Sequence, residues 1–174
     1  MAKKPKKEKK VDAPAAPAEQ TPQAEQAPML QILAQYTKDS SFENPNAPDS
    51  LRSGLNAPAI NINIEIGRQM FEDDTVEVTL ILRADANRDD KTVFIAELAY
   101  SGLFAFSNIS PEELQPMILI ECPRLLFPFA RQIMAAMTQN GGYPPIMLEP
   151  PDFAAMFRDE MMRRMAEQEP QGTA

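Results

Sequence analysis

The side chains most able to do chemistry in this chain are Asp85, Asn87, Asp89 and Asp90, the lone Cys122, and scattered carboxylates. None has an imidazole beside it, because the 174 residues include no histidine. Asp85-Ala-Asn-Arg-Asp-Asp90 sets oxygens at positions one, three and five, as a calcium loop does. The pattern then fails: position six, which needs glycine, is Asp90, and position twelve, which needs a bidentate glutamate, is Ala96. A solvated hairpin turn accounts for the same residues, and no metal is expected. Cys122 lies in Glu-Cys-Pro among apolar neighbours with nothing to lower its pKa, and reads as a small buried hydrophobe. Lack of His removes every His-based general base, triad and imidazole metal site. Neither G-x-x-x-x-G-K-[ST] nor G-x-G-x-x-G occurs, so no nucleotide is expected. Neither a hydrolase nor a zinc enzyme is expected, Cys122 is not expected to be catalytic, and no cofactor is expected.

Charge narrows the partners. The formal net charge is −8, and residues 1–28 hold six Lys and four acids, which leaves 11 basic against 21 acidic residues, or −10, from Met29 onward. A domain so acidic argues against nucleic acid as its ligand. One Cys permits neither an internal disulfide nor a CxxC pair and fits a reducing cytoplasm. No run of about 18 apolar residues exists, and the Lys-rich start is followed by Ala, Pro and Gln rather than an apolar stretch, so neither membrane insertion nor a signal peptide is expected.

Three parts divide the chain. Residues 1–28 have five Pro and seven Ala but no Leu, Ile, Phe or Tyr, too little apolar surface to offset the entropy of ordering, and are expected to be a disordered tail. Residues 29–166 form one domain, and 167–174 a flexible polar tail. Leu30, Ile32, Ala34 and Tyr36 alternate with Gln31, Leu33, Gln35 and Thr37 as in a strand running to about Phe42, with the first four on one face. ENPNAPDSLRSGLNAP then lacks periodicity and is too long for a hairpin, so it should cross over the sheet. Ile60, Ile62, Ile64 and Ile66 alternate cleanly, Glu72-Asp73-Asp74 turns, and Val76, Val78, Leu80 and Leu82 mark a third strand to Arg83. After a polar turn over Ala84–Asp90, Lys91 to Phe106 forms a fourth strand with Phe94, Ala96, Leu98 and Tyr100 on one face. The result is an antiparallel sheet.

Ser110-Pro-Glu-Glu113 is a helix start with a capping box. Pro123 and Pro128 each remove an amide donor, so a break or sharp kink is expected before the helix resumes and stops at Asn140-Gly-Gly. A Pro-rich connector, Tyr143 to Pro151, leads to a last helix that Asp152 could cap and that carries Met156, Met161, Met162 and Met165. Ile81 and Ile95 lie opposite the main apolar sets, and MILIECPRLLFPFARQIMAAM is apolar nearly all round. One small domain leaves much of that surface unburied, so subunit interfaces or client grooves should cover it.

Between Leu30 and Phe157 the chain resembles the bacterial export chaperone family SecB. The motifs that carry the resemblance are Tyr36-Thr-Lys-Asp-Ser-Ser-Phe-Glu-Asn-Pro-Asn-Ala-Pro48, Gly102-Leu-Phe, Cys122-Pro-Arg-Leu-Leu-Phe-Pro-Phe-Ala-Arg131, Gly141-Gly-Tyr-Pro-Pro and Pro150-Pro-Asp-Phe-Ala-Ala-Met-Phe157. The resemblance implies an α+β fold, with a four-stranded antiparallel sheet, a crossover connection and helices on one side. It implies a homotetramer, a dimer of dimers, with sheets paired edge to edge in the dimer and helices between dimers. It implies a chaperone of the bacterial cytoplasm that needs no nucleotide, binds unfolded precursor proteins and delivers them to the SecA motor ATPase for export. By the resemblance, Asp39, Glu43, Ile95 and Glu97 dock the basic tail of SecA. Leu55, Ile60 and Ile62, with Tyr36 and Phe94, line the client groove, and Ala96, Leu98 and Tyr100 fall where oligomer contacts lie. Two other readings compete: a holdase of the same fold that never meets SecA, and an RNA adaptor working through the Lys-rich tail.

Overall fold

The computed structural model describes residues 28–168, so nearly all of the expected N-terminal tail and the last six residues lie outside it. Four strands, β1 (Met29–Glu43), β2 (Ala59–Met70), β3 (Thr75–Arg88) and β4 (Lys91–Ser107), form one antiparallel sheet in the order β1-β4-β3-β2. The segment between β1 and β2 carries the chain from one edge of the sheet to the other, as its length and prolines imply.

Hairpins fix the register. Turns at 71–74 and at Asp89-Asp90 join β2 to β3 and β3 to β4, with Asp74, Asp89 and Asp90 at positive φ. Two successive residues in that region make the tight hairpin turn whose twist matches the strands it joins, and aspartate tolerates the conformation. The polar run 84–90 is therefore not a long turn: its alternating residues belong to β3, and only two residues reverse the chain.

Alternation along β3 and β4 sorts the residues as the pattern requires. Val76, Val78, Leu80, Leu82, Phe94, Ala96 and Leu98 are almost fully buried beneath the helices, and Tyr100 nearly so. In β1 the simple alternation fails, because the register shifts between Ile32 and Ala34 and again between Thr37 and Asp39. An extra residue sends the following side chains to the other side of the sheet. Leu30 and Ile32 stand opposite Phe106 and Phe104 on the helix side, whereas Tyr36 stands opposite Ser101 on the open side.

The helical layer is α1 (Pro111–Pro116), a π turn (Met117–Glu121), α2 (Cys122–Asn140) and α3 (Phe153–Gln168). The Ser110/Glu113 capping box is present. The expected break takes the form of the π turn just before Pro123, where the Cys122 amide donates to the Met117 carbonyl. Pro128 does not interrupt α2, which runs on for 19 residues. Leu126, Ala130 and Met134 of α2 pack on the sheet, while Thr138 at its end accepts from the Ile146 amide at 3.1 Å and so anchors the connector. The Ala155 amide donates to Asp152 at 3.0 Å, the expected cap of α3, and that helix extends to Gln168, past the expected boundary at 166.

Close approach between layers rests on Gly102, where an added Cβ would lie 2.8 Å from both Leu126 Cδ2 and Phe104 Cε2. Gly102→Ala is expected to cost about 1–3 kcal/mol through overpacking. Urea unfolding at matched protein concentration checks this, and an unchanged midpoint would show that α2 can shift freely.

Candidate functional site: a carboxylate-bearing sheet face and an apolar groove

The register lays out the open face of the sheet in rows. From β1 across β4 to β3 they read Glu43–Ile95–Asp85, Ser41–Glu97–Arg83, Asp39–Ala99–Ile81 and Tyr36–Ser101–Thr79. Asp39, Glu43, Ile95 and Glu97, far apart in sequence, thus form one patch at one end of this face. Sequence reasoning found no cation near them. The structure puts Arg83 opposite Glu97, donating from Nη1 to Glu97 Oε1 and bridging to Asp85 at 2.7 Å. Arg83 and Asp85 were missed because their place beside Glu97 depends on strand register, which alternation alone does not supply.

Farther along the same face, Glu77 is almost fully buried and accepts from the Tyr36 hydroxyl and from Lys38 Nζ at 2.5 Å. The bond from Lys38, and secondarily that from Tyr36, holds the Glu77 carboxyl below the usual glutamate range. The same bond to Glu77 raises the Tyr36 phenol. Tyr36 therefore belongs to the open face, beside Phe71 and Leu103, and not to the groove assigned to it from the resemblance.

The groove lies on the other side, where the crossover segment meets the connector after α2. It encloses about 600 Å³, with Leu51, Leu55, Ile60, Phe94, Tyr143 and Met147 in its lining. Its depth is aromatic: Phe94 stacks 5.5 Å from Phe42 and lies 4.7 Å from Tyr143 between ring centres. Gly141 lets this happen, since a Cβ there would fall 2.2 Å from Phe42 Cζ. The Tyr143 hydroxyl, 2.9 Å from Asn44 Oδ1 and 3.0 Å from Ser50 Oγ, ties the crossover segment to the connector, and Asn46 donates to the Thr92 carbonyl at 2.7 Å. Leu55 and Ile60 are exposed on the rim, and Phe94 is buried below it. Ile62 is exposed on the same side of β2 but one step outside the lining. Tyr143 and Met147 were not among the sequence candidates, because a Pro-rich connector gives no periodicity to say which side chains turn inward.

Of the oligomer candidates, Ala96 and Leu98 are buried beneath the helices, and Tyr100 stacks on Phe129 at 6.2 Å. Exposed apolar side chains are instead found on the outer side of α2, at Leu125 and Phe129, and on β1 at Ile32 and Leu33.

Burial pushes the Cys122 thiol up to about 12, helped by neighbouring Glu121, which leaves it protonated. Among the described residues no cluster of His, Cys, Asp or Glu could hold a metal ion, and no helix is long and apolar enough to cross a membrane. The α+β sheet, with helices on one side, thus carries an aromatic-floored groove on one face and a charged patch on the other.

The family model for preprotein translocase subunit SecB matches residues 23–164. The protein-export protein SecB of Maricaulis maris is 51% identical over 140 residues, covering 80% of this chain and 81% of that one. That of Nitrobacter hamburgensis is 50% identical, covering 82% and 90%. Among solved structures, a Mycobacterium tuberculosis SecB-like chaperone, in complex with a peptide from an antitoxin, superposes with a TM-score of 0.58 over 70% of this chain and 90% of its own. At 16% identity it bears on the fold alone. The chain belongs to the SecB family of protein-export chaperones.

The Lys38–Glu77 ion pair, with its carboxylate buried and its ammonium half exposed, makes stability depend on pH. A carboxyl lowered in the folded state contributes fully above its unfolded value, about 4.3 for glutamate, and that contribution fades as pH falls through the lowered folded value. Glu77→Gln is expected to be less stable than the native protein at pH 7, with the gap closing below about pH 4. Thermal melts at pH 7 and pH 3 check this, and a gap of equal size at both would show that the charge of Glu77 adds nothing.

Proposed function

We propose that the protein holds unfolded precursor segments in the apolar groove, without nucleotide, while its carboxylate-bearing face docks the basic tail of SecA. The observation that carries this reading is the separation of the two surfaces on opposite sides of one sheet, so that cargo and motor need not compete for space. Leu55 and Ile60 at the rim, Phe94 below and Ile62 beside it would contact clients. Many loose apolar contacts suit unfolded chains, which share exposed hydrophobic side chains but no sequence. Asp39, Glu43, Ile95 and Glu97 would meet SecA. The working form is a homotetramer, a dimer of dimers, in the bacterial cytoplasm, supported by two unpaired sheet edges and the exposed Leu125 and Phe129.

The native protein is expected to suppress aggregation of a denatured precursor at stoichiometric amounts with no nucleotide present. A Leu55→Ser/Ile60→Ser variant should need about tenfold more protein, roughly 1.4 kcal/mol of lost affinity. Light scattering during refolding reads both, and equal performance by the variant would move the client site elsewhere.

Calorimetric titration with SecA should show binding that Asp39→Ala/Glu43→Ala/Glu97→Ala weakens about tenfold or more at low salt, with the oligomer unchanged by light scattering. Equal affinity would take the open face out of the docking site. No binding by the native protein would leave a holdase outside the export route.

A further inference from the structure

Two of the four carboxylates at the acidic end of the open face already have a cation from their own chain. Arg83 donates through Nε and Nη2 to Asp85 Oδ2 and Oδ1, at 2.8 and 2.7 Å, and through Nη1 to Glu97 Oε1. The second Glu97 oxygen lies 3.5 Å from the Ser41 hydroxyl. Asp39 and Glu43 differ: neither takes part in a salt bridge among the described residues. Arg83 is also planted rather than loose. The paired bonds to Asp85 match the fork of a guanidinium to the two oxygens of a carboxylate, a geometry that an ammonium cannot reproduce. Its side chain is 42% exposed and that of Asp85 26%, so the pair sits at the surface with its charges open to a partner.

We infer that Arg83 is a resident competitor for the basic partner, a specificity-determining residue that occupies Glu97 until a stronger cationic ligand takes the site. This rests on the reading that the open face docks the basic tail of SecA. At Glu97 a ligand with one positive charge meets a carboxylate already paired and a guanidinium that repels it. A segment with several positive charges also reaches Asp39 and Glu43, and the added attraction outweighs the displaced pair. Selection against weakly basic segments thus comes from a repulsive element placed inside an attractive surface. The cation works by charge and occupancy, and not by holding the sheet together, because the backbones of β3 and β4 are paired without interruption on both sides of it, from Thr75 and Ala105 to Ala86 and Phe94.

The test is Arg83→Gln in the full chain, which keeps a donor near Glu97 and removes the charge. Titration with SecA in 50 mM and 200 mM salt is expected to show about fivefold tighter binding at the lower salt and a steeper loss of affinity at the higher. Tetralysine should bind the variant measurably more tightly than the native protein. Arg83→Lys, which retains the charge, should stay within about twofold of native. A gain in affinity cannot come from misfolding, so a structural role alone would not produce it. Unchanged or weaker binding by Arg83→Gln, with Asp39→Ala/Glu43→Ala still losing SecA, would overturn the role of Arg83 and leave the docking face standing. Failure of the native protein to bind SecA would overturn both.

Discussion

Everything in this protein hangs on the register between β3 and β4. The two-residue Asp89-Asp90 turn sets the pairing as far as Asn87 and Thr92, an extra residue at Val93 shifts it once, and the side chains beyond follow from the shifted pairing. A slip of β3 by one residue would carry Leu80 and Leu82 to the open side and bring Glu77 and Arg83 beneath the helices. The cost of burying those charges makes the slipped form inaccessible. The same register that builds the core therefore composes the charged face, row by row. Neither could be altered by shifting a strand without destroying the other.

Much of this was legible in the residues. The alternation in β2, β3 and β4 marked the strands, the Ser110–Glu113 box marked the helix start, and the Pro-rich run after β1 implied a crossing. The failures have definite causes. In β1 the reading put Leu30 and Tyr36 on one face, but bulges near Leu33 and Lys38 reset the alternation, and no residue type announces a bulge. At Pro128 a break was expected because one hydrogen bond is lost. Packing of Leu126, Ala130 and Met134 on the sheet compensates for that loss across a 19-residue helix. The acidic patch was named from family motifs, whereas the basic residue within it needed the pairing of two strands. Ala96 and Leu98 illustrate the converse, since a resemblance that places positions near an interface does not say which way their side chains face.

The two sides of the sheet have opposite chemistry and opposite demands on order. In the groove, Tyr143, Asn44, Ser50 and Asn46 hold the backbone of the crossover segment while Leu55 remains exposed at the rim. A held frame with loose apolar side chains can receive many sequences without reorganising its own backbone. On the open face Tyr36 and Lys38 pair with Glu77, and Arg83 with Asp85 and Glu97, while Asp39 and Glu43 take part in no salt bridge among the described residues. Such a surface discriminates by charge placement rather than by shape.

Pro128 leaves one mark on the outside of α2. Having no amide hydrogen, it cannot donate to the carbonyl of Arg124, so a polar oxygen is left without its usual helical donor between the exposed Leu125 and Phe129. Any surface laid over that stripe must bring a donor or trap a water there. A contact across α2 is accordingly never a fully dry seal. Such a contact would set two flanking hydrophobes around a hydrated notch.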